Sequence, residues 1–379
     1  VLTQQTQEHS VRKPYRIVVW GPGGLGGVCI REIAQKPEFE LVGVFAYSDS
    51  KAGQDAGSLV GLPPLGVTVT ASREQALSID CDCVIYLARD FGNYHYTEEV
   101  LQILAAGKNL ISVLPMQNLD HLGASCDPDL PAKLRAACEK GRSVFHCTGI
   151  HPNFIAERLA LPLSGLCNDV TQIKVQENWD VAHISAEQLR VVGYGLPPEQ
   201  AQQQPFAPAI AHNYIEINAE CLGRGFGIRF DRTEVEHAFI AATQDTRTDF
   251  LSIAAGTVGL VTHRHKGYVD AFGPEPFQIF EVNWALTPAN FPAGITAHEY
   301  YVVTIEGRPS VKFSLDIQAS FARDQHLVVP SDPGSEPGYY ATVSTCLHAV
   351  PKVCSARPGV LPTPVTAWHW APDYRSLAE

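Results

Sequence analysis

The apolar run Ile17-Val18-Val19-Trp20 breaks into Gly21-Pro22-Gly23-Gly24-Leu25-Gly26-Gly27 and continues as a helix-compatible stretch, Val28 to Gln35. A strand that ends in closely spaced glycines and turns at once into a helix has few physical uses. Gly21 permits the tight exit, Gly23 lets a phosphate approach the backbone, and Gly26 lets the helix lie close to the strand. The helix start then offers unpaired N–H groups to an anion. A glycine turn alone is a weak signal. Here a second apolar run, Leu41 to Tyr47, follows after a helix-length spacer, which places the turn inside a βαβ unit, as a dinucleotide fingerprint requires. Gly21, Pro22, Gly23, Gly24, Leu25 and Gly26 are therefore read as the pyrophosphate-binding turn for NAD or NADP.

The chain has 379 residues, 45% hydrophobic and 18% charged, which fits a globular protein of two domains. A formal net charge of −12 speaks against nucleic acid as a general partner, since phosphate backbones need a basic face. Val1 to Pro14 is polar without an apolar signal core, and no run approaches a membrane span. The ten cysteines are scattered, several within apolar runs, which suits reduced, buried thiols. Together these predict a cytoplasmic protein with a flexible leader and no membrane contact. Asp80-Cys81-Asp82-Cys83 is the one close cysteine pair, and His263/His265 and His369 with its two flanking tryptophans bring histidines near one another or near aromatics. None has ligand partners at metal spacing, so no metal is expected.

From residue 15 to about 150, apolar runs at 16–20, 41–47, 83–87, 110–113 and 144–147 alternate with helical patterns at 97–106 and 131–140. That alternation predicts a doubly wound parallel sheet, a Rossmann α/β domain. One more helix is expected over 151–163. Long alternating runs then follow at 171–179, 227–242, 256–265, 277–286, 300–306 and 310–317, which predict a second α+β domain on a mixed or antiparallel sheet. A helical insertion at 208–222 would cover one of its faces. The domain division expected is a leader at 1–14, a dinucleotide-binding domain at 15–150, a substrate and dimerisation domain at 151–330, and 331–379 as linker, returning helix and tail. The helix at 339–350 is read as returning to the first domain, and 357–379 as either a packed arm or a loose end.

Ligands of such sheets bind beyond the carboxyl ends of the strands. At the second strand's end, Asp49 lies 23 positions after Gly26, near the spacing of a ribose-reading acid. Ser48 and Lys51 suit a 2′-phosphate instead, so both cofactors stay open with a lean to NADP. Ala88 and Arg89 after the next buried run, and Val113 after the following one, are read as further cofactor contacts. His151, at the junction Cys147-Thr148-Gly149-Ile150-His151-Pro152-Asn153, titrates near neutrality and suits a proton donor to a reduced carbonyl or imine. Glu177 is the carboxylate read as entering the cleft, with Asp180 beside it and Asn153 as a hydrogen-bonding candidate.

The glycine turn, Lys51-Ala52-Gly53, Gly107-Lys108-Asn109-Leu110-Ile111-Ser112, Gly149-Ile150-His151-Pro152-Asn153-Phe154, Ala255-Gly256-Thr257-Val258, Ile305-Glu306-Gly307 and Ala349-Val350-Pro351 together resemble the dihydrodipicolinate-reductase-like superfamily. Within it the pattern looks like 2,4-diaminopentanoate dehydrogenases and native amine dehydrogenases. The resemblance implies NAD(P)H-dependent reductive amination of a ketone or aldehyde and the reverse oxidation of an amine. It also implies a homodimer and a C-terminal segment that completes the first domain. Two departures stand out. Relatives with amine chemistry carry a glutamate in the loop where this chain has Val113-Leu114-Pro115-Met116, and Asn153 stands where relatives commonly have glycine. The His-His pair and Lys motif of dihydrodipicolinate reductase are absent. The reading is an amine-dehydrogenase-like oxidoreductase with His151, Glu177 and Asn153 at its reacting end. The alternatives are an alcohol or carbonyl oxidoreductase, and a nicotinamide-binding protein without turnover.

Overall fold

The computed structural model describes residues 13–88, 96–114, 129–204, 225–296, 300–318 and 337–362, with isolated positions between these spans. Strands β1 (Tyr15–Trp20), β2 (Phe39–Phe45), β3 (Val69–Thr70), β4 (Cys83–Tyr86), β5 (Asn109–Ser112) and β6 (Val144–Cys147) belong to one sheet. Its order is β15-β6-β5-β4-β1-β2-β3, where β15 is Gly359–Leu361, and every pair is parallel. This is a Rossmann arrangement, reversing beside β1 as a dinucleotide site requires.

Burial on both faces explains the unbroken apolar runs. Val18 and Trp20 of β1 pack under the helices Thr97–Ala105 and Leu130–Gly141. Ile17 and Val19 pack on the opposite side against Val28, Ile30 and Ile33 of the helix Gly24–Gln35. The helix Pro337–Ser355 lies on that same side, burying Val343, Cys346, Leu347, Val350 and Val353. The C-terminal helix therefore does return to the first sheet. The expected tail at 357–379 differs at its start, because Gly359–Leu361 pairs with β6 as an edge strand.

The second sheet is built from β7 (Val170–Asp180), β8 (Arg232–Ala241), β11 (Val258–Tyr268), β12 (Gln278–Ala285), β13 (Tyr301–Gly307) and β14 (Val311–Leu315). A separate small hairpin pairs β9 (Thr246–Arg247) with β10 (Ser252–Ile253). The six-stranded order is β14-β13-β7-β12-β11-β8. Only β7 and β12 run parallel, so this sheet is mixed. Period-two alternation gives it two unlike faces. Val175, Phe280, Val282, Tyr301 and Val303 form an inner apolar face. The opposite face is polar, with Glu281 taking Lys174, Gln176 and Arg264 at 3.1, 2.6 and 2.6 Å, and Arg264 also reaching Glu236 at 3.0 Å.

The helix expected over 151–163 is present in another form. Ile150–Ala160 is a π-helix that passes into a short α-helix, Leu161–Ser164. The amide of Phe154 donates to the carbonyl of Gly149, five residues back, at 3.2 Å. Pro152 has no N–H to give to a regular ladder, and wide turns of this kind recur at functional sites. Most of the insertion expected at 208–222 lies outside the described residues, as do the leader up to residue 12 and most of the expected linker. No described helix is long and apolar enough to cross a membrane.

Candidate functional site at the glycine turn and the inner sheet face

The glycine turn has the shape its sequence predicts. Gly21 adopts φ +89°, and a β-carbon there would come within 3.0 Å of the Ala88 amide nitrogen. A β-carbon at Gly26 would lie 2.2 Å from the Gly21 carbonyl oxygen, so the first helical turn presses directly on the strand exit. Gly23 instead faces open space, with nothing within 4 Å of a β-carbon position. It caps the helix without any side-chain hydrogen bond, which leaves the first N–H groups to an incoming anion. This cradle fits a pyrophosphate.

Around it, Lys51 donates from Nζ to the Pro22 carbonyl at 2.6 Å, folding its charge over the turn. Ser48 and Ser50 share a hydroxyl hydrogen bond of 2.6 Å in the exposed loop after β2. Ala88 is buried and forms the floor beneath Gly21. Val113 packs, half-buried, against the core on the side of the C-terminal helix, and Leu114 and Met116 are buried beside it. Leu114 and Met116 of this loop therefore supply core, where the resemblance leads to the expectation of a glutamate. Arg89 lies outside the described residues.

A cluster that the motif reading missed sits at the same strand ends. Glu99, 5% exposed, accepts from Trp20 Nε1 at 3.1 Å and Tyr86 Oη at 2.6 Å, and also from Tyr47. Its other oxygen meets Arg73 Nε at 2.7 Å. Burial raises both phenols well above their usual range, reinforced for Tyr47 by the hydrogen bond to Glu99. The signal was present in the sequence. Glu99 falls on the same helical stripe as Val100, Ile103 and Leu104, and a carboxylate in an apolar stripe needs buried partners.

Glu177 lies on the inner face of the second sheet, 5% exposed. Trp284 donates from Nε1 to one carboxylate oxygen at 2.9 Å and Tyr301 from its hydroxyl to the other at 2.7 Å. Asp180, on the opposite face, accepts the amides of Ala182 and Thr287 at 2.9 and 3.2 Å, so it ties a loop to its strand. Burial raises its carboxyl above the usual range. His151 and Asn153 lie in the first turn of the π-helix; their side chains are outside the described residues.

Tyr339, from the C-terminal helix, joins the two halves of this site. Its ring stands against Gly24, 5.9 Å from the His183 ring and 6.5 Å from the Trp179 ring. Trp179 in turn meets Trp284 edge-on at 6.0 Å, and Trp284 holds Glu177. A continuous aromatic path thus runs from the glycine turn to the buried carboxylate. His183 is held neutral, its pKa lowered by burial to about 4. The Trp179 Nε1 and His183 Nε2 atoms are buried without hydrogen-bond partners among the described residues.

Residues 15–112 match the family model described as dihydrodipicolinate reductase, N-terminus. The chain is 27% identical over 312 residues to an amine dehydrogenase of Streptomyces virginiae, covering 79% of this chain and 84% of that protein. It is 20% identical over 362 residues to a 2,4-diaminopentanoate dehydrogenase of Acetoanaerobium sticklandii, covering 91% of each. Its fold is similar to the structure of an amine dehydrogenase from Mycobacterium smegmatis, with TM-score 0.71, 20% identity, and 94% and 98% of the two chains covered. The glycine cradle and the Rossmann strand order agree with these likenesses: the first half matches the dihydrodipicolinate reductase N-terminal model, and the chain along most of its length is similar to amine dehydrogenases and shares their fold.

Proposed function

We propose that the enzyme interconverts a small ketone or aldehyde plus ammonia with the corresponding amine, in the cleft between the glycine turn and the inner face of the second sheet. The observation that carries this reading is the path Gly24–Tyr339–Trp179–Trp284–Glu177, which sets a fixed buried carboxylate beside an aromatic wall at the edge of the cofactor site. An iminium cation is stabilised by such a carboxylate and by aromatic faces. Glu177 thereby takes the part that the loop after β5 leaves to Leu114 and Met116. A bound nicotinamide supplies the hydride. His151 is assigned to proton transfer at the substrate, and Asn153 to a hydrogen bond.

NADP is the preferred cofactor in this reading. The nearest acid after β2, Asp49, stands four positions beyond Phe45, past the strand end, and Lys51 and Ser48 bring a cation and a hydroxyl to the ribose side of the turn. We further assign the polar outer face of the second sheet to contact with a second copy of the chain, and the enzyme to the cytoplasm.

The test is spectrophotometric. NADPH oxidation is followed with a panel of small ketones and aldehydes, with and without ammonium, and NADP reduction with the matching amines and alcohols. Turnover that requires ammonium supports amine chemistry. Turnover indifferent to ammonium moves the assignment to carbonyl reduction, the reading favoured by the apolar loop after β5. Tight cofactor binding with no turnover on any compound would sink both.

A further inference from the structure

His237, His263, Val282, Glu177 and Tyr301 stand opposite one another across five neighbouring strands, forming a single row on the inner face of the second sheet. At one end of that row two imidazoles meet. The Nδ1 atoms of His237 and His263 are 2.8 Å apart, so one carries the hydrogen and the other accepts it. His263 is fully buried, and its Nε2 has no hydrogen-bond partner among the described residues. Its ring stands edge-on to Trp284 at 5.6 Å, the same indole that holds Glu177. His237 sits on β8, the edge strand of the sheet, and is half-buried. Burial lowers its pKa, and the Glu216 carboxylate, which favours the charged form, offsets this only in part.

We propose that His237 and His263 form a two-histidine proton wire joining solvent to the reacting substrate, with His263 Nε2 as its inner end. The inference rests on the reductive-amination reading above. A pair linked through Nδ1 leaves one Nε2 at each end, that of His263 buried and that of His237 on the half-buried residue of the edge strand. Burial disfavours a charged His263, so the wire works by shifting protons between neutral tautomers. As ammonium gives up a proton to become the nucleophile, His263 Nε2 accepts it. His263 Nδ1–H passes its proton to His237 Nδ1, and His237 Nε2–H releases one to water. When the carbinolamine collapses, its C–O bond breaks and the nitrogen lone pair forms the C=N bond. The leaving oxygen takes the proton from His263 Nε2 and departs as water. The pair then refills from solvent in the opposite sense, so one proton out and one in restore it for the next turnover.

The experiment combines a spectroscopic and a kinetic arm on the full chain. In ¹⁵N-histidine-labelled enzyme, the Nδ1–Nδ1 hydrogen bond should give a through-bond nitrogen–nitrogen coupling that disappears in His237→Ala. With a substrate found in the panel, His237→Ala should lower kcat about a hundredfold, the scale of a lost acid–base catalyst. NADPH affinity should be unchanged, and millimolar imidazole should restore much of the rate. The wild type should show a curved proton inventory in mixed H₂O and D₂O, which becomes linear in the variant. Unchanged kcat and an unchanged solvent isotope effect in His237→Ala would overturn the wire while leaving the function intact. A loss of rate that imidazole does not repair assigns the pair to packing and also overturns it. A wild-type enzyme that turns over nothing in the panel overturns the functional reading and the wire together.

Discussion

The ring of Tyr339 lies so close to Gly24 that a β-carbon at that glycine would come within 2.9 Å of its Cε2 atom. A residue of the C-terminal helix thus touches the first residue of the helix proposed to receive the cofactor's phosphates. The same ring stands 6.5 Å from that of Trp179 and 5.9 Å from that of His183. Gly24→Ala should push the ring away and weaken NADPH binding. In the double variant with Tyr339→Ala the two effects should be non-additive by about 1 kcal/mol, the scale for residues in contact. Fluorescence titration of the four proteins measures the cycle, and strict additivity would remove the coupling.

Lys51 folds onto the Pro22 carbonyl, within reach of the ribose side of the turn. Lys51→Ala should raise the Kd for NADPH about tenfold, or about 1.4 kcal/mol, and leave that for NADH nearly unchanged. Equal losses for both cofactors would show that Lys51 shapes the turn without reading a 2′-phosphate.

Glu177→Gln keeps the size of the side chain and removes its charge. With Trp284 and Tyr301 still able to contact the amide, the fold should persist by circular dichroism. The value of kcat/KM for amination should fall about a hundredfold, as expected when one electrostatic stabiliser of a developing charge is lost. Activity within twofold of the wild type would dismiss Glu177 from the reacting end.

Three donors and Arg73 converge on Glu99. Glu99→Leu leaves the buried Trp20 and Tyr86 donors without their acceptor, while the exposed Arg73 returns to water, and should destabilise the protein by about 3 kcal/mol, the scale of two buried donors left unpaired. Tyr47→Phe, which removes a single donor, should cost about 1 kcal/mol. Urea denaturation gives both values, and similar small losses for the two variants would refute a central role for the carboxylate.

His183 carries a folded-state pKa of about 4 against an ordinary 6.5, because burial disfavours its charged form. Between those values the unfolded chain binds a proton that the folded chain refuses. Stability therefore rises with pH through this window and is lost as pH falls from 6.5 towards 4. The contribution is about 2–3 kcal/mol. Thermal melts at pH 7 and pH 5 should show a smaller acid loss for His183→Gln than for the wild type; parallel losses would assign the acid sensitivity to other groups.

Much of the first half was legible because its physics is local. Gly21, Gly23 and Gly26 occupy the positions a phosphate turn needs, and the apolar runs of β1, β4, β5 and β6 announce strands buried on both faces. The alternation of β7, β11 and β12 likewise announced a sheet with two unlike faces. What spacing could not convey was which residues meet across the chain. Glu99 could be marked by its place in an apolar helical stripe, but its partners could not be named, because they lie on β1, on β4, after β2 and in the helix at Arg73, brought together only by the strand order. The π-helix at Ile150 depends on hydrogen-bond register, which apolar periodicity does not encode.

By itself, then, the sequence determined the shape of the glycine turn, since backbone conformation at three glycines is a local property, together with the layered α/β first half and the β-rich second. The tertiary structure alone decided what surrounds that cradle. It put Tyr339 against Gly24, more than 300 positions away in the chain, placed Glu177 in one row with His263 and His237, and turned the loop after β5 into core. Those are long-range juxtapositions set by strand order and register, and a register shift of one residue would have sent each of these sheet side chains to the opposite face.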